Sequence, residues 1–300
     1  MKILLLGKSG QVGWELQRSL AVLGEVTALN RASTAHCGDL GNLAGLAETV
    51  RALQPDVIVN AAAFTAVDKA ESAVAQAQAI NADAPGVLAE EAARLGALLV
   101  HYSTDYVFNG SGQEPWRETD ATGPLSVYGR TKLEGEQRIQ QAGGRHLIFR
   151  TSWVYAARGG NFAKTMLRLA HERERLTVID DQFGAPTGAE LLADITAQTI
   201  VQALPRTALD GIFHLAAAGE TTWHAYAGYV IEYAKSAKSA PEFAVKEIAA
   251  VPASAFPLPA PRPFNSRLDT TKLRTTFGLN LPPWQQGVAR MLDEILGEHS

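Results

Sequence analysis

Two groups of residues in this 300-residue chain have the types and the spacing to do chemistry. The first is Gly7, Gly10 and Gly13, set between a short apolar run and a helical stretch. Glycine in such a turn allows positive φ and lets the backbone approach a diphosphate, while the following helix N-terminus supplies amide donors and positive dipole. Gln11 and Val12 lie inside the turn, and Gly13 lets helix and strand pack closely. With strand before and helix after, the spacing predicts a dinucleotide site. The second group is Tyr128 and Lys132, four residues apart and so on one helical face, together with Ser103-Thr104-Asp105. A phenol with a pKa of about 10 is a poor acid–base catalyst near neutrality. A nearby ammonium predicts a lowered pKa for Tyr128 and can also hold ribose hydroxyls. Thr104 offers a hydroxyl to a carbonyl oxygen that becomes negative as hydride arrives.

The end of the second strand bears on the cofactor. An acid there would hold the ribose 2′-OH of NAD, and an arginine would accept the 2′-phosphate of NADP. This chain has Asn30-Arg31 and no acid before Asp39, which favours NADPH and leaves NADH open. A solvated loop position is the competing reading of Arg31. Asp39-Leu40 can border an adenine. Asn60-Ala61-Ala62-Ala63 ends the third strand with small residues, which either leave room for a cofactor or serve helix–sheet packing.

These residues need elements to hold them. Residues 3–6, 26–29, 57–60, 98–103 and 147–150 read as strands, nearly continuous apolar runs of the kind found where both faces of a parallel sheet are covered. Residues 11–23, 43–53, 71–94 and 125–141 read as the helices between them. The alternation predicts an α/β fold, a doubly wound, Rossmann-like parallel sheet. Further signals follow at 177–179, 188–203 and 212–215, then five prolines within 252–263, which suit neither helix nor central strand, and a last helix at 284–296. The expected division is a dinucleotide-binding domain of residues 1–154 plus about 189–222. A smaller, irregular substrate domain takes about 155–188 and 223–300.

Composition narrows the function. The chain is 46% hydrophobic and 19% charged, enough to bury a core. Its 27 basic and 31 acidic side chains leave a net charge of −4, which excludes a broadly basic nucleic-acid binder. A single cysteine, Cys37, excludes an intramolecular disulfide and a multi-cysteine metal site. Seven histidines show no metal spacing, and His101, in an apolar strand, reads as a satisfied structural histidine. The run Lys235-Ser236-Ala237-Lys238 reads as a solvated helix end. With no leader-like opening and no apolar run of membrane-spanning length, the expectation is a cytoplasmic protein without a membrane anchor.

The glycine turn, Ser103-Thr104-Asp105-Tyr106-Val107-Phe108 and the Tyr128/Lys132 pair resemble the extended short-chain dehydrogenase/reductase superfamily. Longer segments are similar to one family within it, the dTDP-4-dehydrorhamnose reductases. These are residues 60–71, Arg150-Thr151-Ser152-Trp153-Val154-Tyr155, Asp181-Gln182-Phe183-Gly184-Ala185-Pro186-Thr187 and Arg262-Pro263-Phe264-Asn265-Ser266-Arg267-Leu268. The likeness spans nearly the whole chain. Some members carry Asp where Asn30 stands.

The resemblance implies NADPH-dependent reduction of a dTDP-4-keto-6-deoxy sugar nucleotide at C4, with Thr104, Tyr128 and Lys132 catalytic. It places Ala62, Ala63, Thr65 and Tyr102 at the cofactor, and Asp105, Tyr106, Trp153, Val67 and Lys69 at the sugar. Arg262 and Arg267 become candidates for the substrate diphosphate, since guanidinium matches phosphate oxygens in pairs. It also implies a homodimer with Mg2+ between subunits at Glu15, Glu190 and Glu294, against which stands the solvated reading of three surface glutamates. Two alternatives share many of these motifs: a sugar-nucleotide epimerase or dehydratase, and a non-catalytic regulatory subunit like that of methionine adenosyltransferase. Dehydratases usually place an acid pair after the strand-end Thr, whereas Tyr106 follows Asp105 here.

Overall fold

The computed structural model describes residues 1–237 and 242–297. The chain enters through β1 (Lys2–Leu6), α1 (Gln11–Ala21), β2 (Glu25–Leu29), α2 (Leu43–Leu53) and β3 (Val57–Asn60). Short helices α3 (Val67–Ala70) and α4 (Val74–Gln78) lead through a π turn, Ala79–Asp83, into α5 (Ala84–Leu95). Then come β4 (Leu98–Thr104), α6 (Val127–Gln141) and β5 (His146–Thr151). The single helix expected over 71–94 is therefore three segments. Asn81 breaks the pattern: its side chain leaves the helix surface to bond the Phe64 backbone amide and carbonyl, at 2.8 and 3.1 Å. Asparagine favours such backbone bonds over helix interiors.

The second half holds β6 (Val154–Tyr155), α7 (Phe162–Glu172), β7 (Arg175–Ile179), β8 (Phe183–Gly184), β9 (Thr187–Gly188) and α8 (Ala189–Ala203). It ends with β10 (Gly211–His214), β11 (Thr221–Thr222), α9 (Trp223–Ser236), β12 (Glu247–Val251), α10 (Thr271–Phe277) and α11 (Trp284–Leu296). Lys235 pairs with Glu232 at 2.9 Å, and Lys238 lies outside the described residues.

Six strands form one parallel sheet in the order β10-β5-β4-β3-β1-β2. One face packs on α1 and α8 through Leu16, Leu20, Leu192 and Ile200; the other packs on α2 and α5 through Leu46, Val50, Leu88 and Ala92. Both faces are covered, so the sheet is doubly wound as expected. Strand order reverses between β1 and β3, and in such sheets ligands bind at the carboxyl ends beside the reversal. A separate apolar cluster joins α7, α9 and α11 through Leu167, Tyr226, Val230 and Val288. The proline-rich tract runs irregularly past the 3-10 turn Ala253–Ala255. No helix among the described residues is long and apolar enough to cross a membrane.

Candidate active site

The glycine turn sits at the strand reversal. Gly7 has φ +92°, and a Cβ there would stand 2.8 Å from the Ala61 carbonyl carbon and the Ala62 nitrogen. A Cβ on Gly13 would stand 2.1 Å from the Gly7 oxygen, so helix and strand meet here with no room for a side chain. Gly10 caps α1 without a side-chain bond, leaving the helix's first amides facing outward. This bare cradle beside Ala61 and Ala62 fits a diphosphate. Gln11 ties the turn to the loop after β6, donating to the Arg158 and Gly160 carbonyls at 3.3 and 3.0 Å. Val12 packs against the core beneath α1.

Around the turn, Asn30 Nδ2 donates to Ser9 Oγ at 2.7 Å, bracing the end of β2 against the glycine loop. Arg31 is exposed and pairs with Asp39 at 3.4 Å, while Asp39 also accepts from Gly41 N at 3.0 Å. Leu40 is buried in the core under α2. The Ala62 amide donates to Asn60 Oδ1 at 3.2 Å; Ala63 follows half-buried, and Thr65 is exposed.

The second group assembles at the carboxyl end of β4. Ser126 caps α6 by accepting from Gly129 N at 3.2 Å, and Glu71 accepts from Val127 N at 2.8 Å. These contacts fix the first turn of the helix that carries Tyr128. Thr104 Oγ1 donates to Asp105 Oδ1 at 3.1 Å and accepts from Tyr106 N at 3.2 Å, and it lies close enough to the Tyr128 side chain to favour its phenolate. The Tyr106 and Tyr128 rings meet edge to face, 5.4 Å between centroids. Lys132 is 2% exposed, its Nζ 2.6 Å from the Tyr102 carbonyl and 3.0 Å from His101 Nε2.

Electrostatics correct one expectation. The Tyr128 phenol is not lowered but pushed up to about 12: burial disfavours the phenolate most, Thr104 opposes this, and Asp105 adds repulsion. Lys132 is pushed down to about 8 by burial, which Glu136 partly opposes. The Asp105 carboxyl rises to about 6 through burial, which the nearby Ser266 and Thr104 hydroxyls oppose. The site therefore holds a protonated phenol and a lysine near its midpoint, a donor pair before any ligand arrives.

Other expected residues fall at several places. Trp153 has φ +50°, unusual for a bulky side chain, and stacks on Trp223 with centroids 3.6 Å apart. Such backbone strain clusters where function needs it. Val67 is half-buried on α3 and Lys69 exposed. Arg262 Nη2 donates to Asp68 Oδ2 at 2.7 Å, and Arg267 pairs with Glu220 at 2.6 Å. The Tyr102 side chain turns to the opposite face of the sheet and bonds Thr196 at 2.6 Å, so only its carbonyl meets the lysine.

Glu190 and Glu294 line a cavity of about 260 Å³ with Arg290, and Glu190 pairs with Arg290 at 3.2 Å. Burial raises the Glu190 pKa, opposed by Arg290 and reinforced by the charges of Glu15 and Glu294. Among the described residues, no group of three or more His, Cys, Asp or Glu side chains is arranged to hold a metal.

Sequence reasoning missed Asn81 and the link from Asn60 through His101 to Lys132. Only an asparagine inside an alanine-rich helical stretch hinted at the first.

Comparison with known proteins bears on what this site serves. The family described as RmlD substrate binding domain matches residues 1–296. A dTDP-4-dehydrorhamnose reductase of Escherichia coli is 59% identical, with 98% of each chain covered. The chain belongs to the dTDP-4-dehydrorhamnose reductase family. Solved structures of the family agree. The Clostridium acetobutylicum reductase superposes with TM-score 0.87 at 33% identity, covering 98% of this chain and 99% of that one. The Bacillus anthracis reductase, solved in complex with NADP, gives 0.86 at 31% identity with the same coverage.

Proposed function

We propose that this chain reduces the C4 ketone of dTDP-4-dehydro-β-L-rhamnose to dTDP-L-rhamnose with NADPH, the last step of dTDP-L-rhamnose biosynthesis. The observation that carries the reading is the placing of Thr104 and Tyr128 together at the carboxyl end of β4, with Lys132 one turn further along the helix of Tyr128, in a chain 59% identical to the Escherichia coli reductase. NADPH, when bound, supplies the hydride to the ketone carbon.

The chain's own groups do the rest. The amides at the start of α1 hold the cofactor diphosphate, and Gly7 and Gly10, whose own amides bond the Leu29 and Gly7 carbonyls, leave room for it. Arg31 exchanges Asp39 for the 2′-phosphate, and NADH serves less well for lack of that contact. Lys132 holds the ribose hydroxyls. Thr104 orients the ketone oxygen and stabilises the charge that develops on it. Tyr128, held as a phenol by its surroundings, delivers the proton to that oxygen. Asp105, Tyr106, Trp153, Val67 and Lys69 surround the sugar, and Arg262 takes the substrate diphosphate. Residues 1–154 and about 189–222 bind the dinucleotide; about 155–188 and 223–300 bind the substrate.

This reading locates the enzyme in the cytoplasm. A homodimer with Mg2+ at Glu15, Glu190 and Glu294 is its finer part, tested by sedimentation with and without chelator. An epimerase would leave reduced cofactor unconsumed, and a regulatory subunit would not turn over. Incubating the chain with NADPH and the 4-keto sugar nucleotide separates the three: stoichiometric NADPH oxidation with formation of the 4-hydroxy sugar supports the reductase alone.

A further inference from the structure

Lys132 Nζ ends a buried chain of polar groups that the mechanism above does not use. The Ala62 amide donates to Asn60 Oδ1 at 3.2 Å, which turns Asn60 Nδ2 toward His101 Nδ1 at 3.1 Å. An amide nitrogen has only hydrogens to offer, so Nδ1 is the accepting nitrogen. Burial holds the His101 pKa well below its ordinary value, so the ring is neutral. A neutral ring that accepts at Nδ1 carries its hydrogen on Nε2, and Nε2 lies 3.0 Å from Lys132 Nζ. An ammonium has no lone pair to accept that hydrogen. An amine has one, and still donates to the Tyr102 carbonyl at 2.6 Å.

We propose that His101 is a positioning residue for Lys132: held by Asn60 in the tautomer with hydrogen on Nε2, it fixes the place of Nζ and disfavours its ammonium form in the unliganded chain. The proposal rests on the catalytic reading of Lys132. The charged and titratable groups around Nζ agree with it. On its own helix, Tyr128 is a phenol and Glu136 is engaged by Arg150 of β5, at 2.6 and 2.9 Å. His101 comes from β4, and Asn60 of β3 is uncharged. Burial places Lys132 at about 8, so a modest gain in negative surroundings charges it. Cofactor phosphates and ribose hydroxyls bring that gain, so binding draws a proton onto Nζ.

The full chain tests this. In ¹⁵N-histidine NMR of the unliganded protein, His101 is expected to show a bare Nδ1 and a protonated Nε2; the opposite tautomer or an imidazolium overturns the proposal. In calorimetric titrations with NADP+ at pH 8, run in two buffers of different ionisation heat, the wild type is expected to take up part of a proton and Lys132→Met none. Absence of uptake by the wild type overturns it. In His101→Gln, an amide oxygen can face the ammonium, so the basic limb of the pH–rate profile should move up and kcat should fall about 3–10-fold, the worth of one hydrogen bond. A folded His101→Gln with an unchanged profile also overturns it. If these signals appear but the keto sugar nucleotide is not reduced, the catalytic reading fails and the tautomer assignment stands.

Discussion

Arg262 in the proline-rich tract is joined to Asp68 on α3, Nη2 to Oδ2 at 2.7 Å, and Asp68 Oδ1 also accepts the Ala260 amide at 3.2 Å. The guanidinium is thus held over the loop after β3 by a carboxylate, in a chain of net charge −4 that must bind a dianionic sugar nucleotide. Losing one charge-assisted phosphate contact costs about 1.5–3 kcal/mol. Arg262→Ala is therefore expected to raise KM for the sugar nucleotide about 10–100-fold. NADPH affinity should hold, and Arg262→Lys should recover only part of the loss, since a point charge makes no two-pronged contact. Weakened NADPH binding with an unchanged sugar-nucleotide KM would remove Arg262 from the substrate site.

Tyr128→Phe removes the proton donor and keeps the ring that packs on Tyr106. Turnover should fall about 10²–10⁴-fold with NADPH binding nearly intact. Steady-state rates and a fluorescence titration check this, and a variant above about a tenth of wild-type turnover contradicts the assignment.

Arg31 is free to turn because its pairing with Asp39 is exposed, and exposed pairs contribute little. NADPH should show the higher kcat/KM, and added salt should weaken NADPH more than NADH. Arg31→Ala should narrow the preference. Equal efficiencies for both cofactors in wild type and variant would refute its role.

Asp105 makes stability depend on pH. Its carboxyl sits at about 6 in the fold, raised by burial, against about 3.9 for an unfolded chain. Between those values the folded chain binds more protons than the unfolded one, so stability falls as pH rises through that window and stays lower above it. Asp105→Asn should therefore raise Tm at pH 7, by up to roughly 3 kcal/mol in stability, and change it little at pH 4. Equal shifts at both pH values would contradict this account.

Local pattern carried the sheet well. The apolar run at 57–60 and the helix at 43–53 are the elements found, because burial on both faces of a parallel strand and a helical period are written in neighbouring residues. The glycine spacing likewise reports the turn, where Gly13 crowds Gly7, but not that Gly7 is crowded by Ala61 and Ala62 at the end of β3. What stayed hidden depends on partners distant in sequence. Asn81 interrupts its helix to serve Phe64, 17 residues back. Tyr102 faces Thr196, and Trp153 takes its strained backbone against Trp223. The phenol of Tyr128 moved up rather than down chiefly because it is buried, and spacing does not show that the Lys132 Nζ turns to His101 and the Tyr102 carbonyl.

The most direct test follows the hydride. NADPH carrying deuterium at the transferring C4 position is incubated with the chain and dTDP-4-dehydro-β-L-rhamnose, and the sugar is read by NMR. The account predicts one deuterium at sugar C4 for each NADPH oxidised, with none transferred in Tyr128→Phe on the same timescale. Unconsumed NADPH, or deuterium at any other sugar carbon, would contradict it.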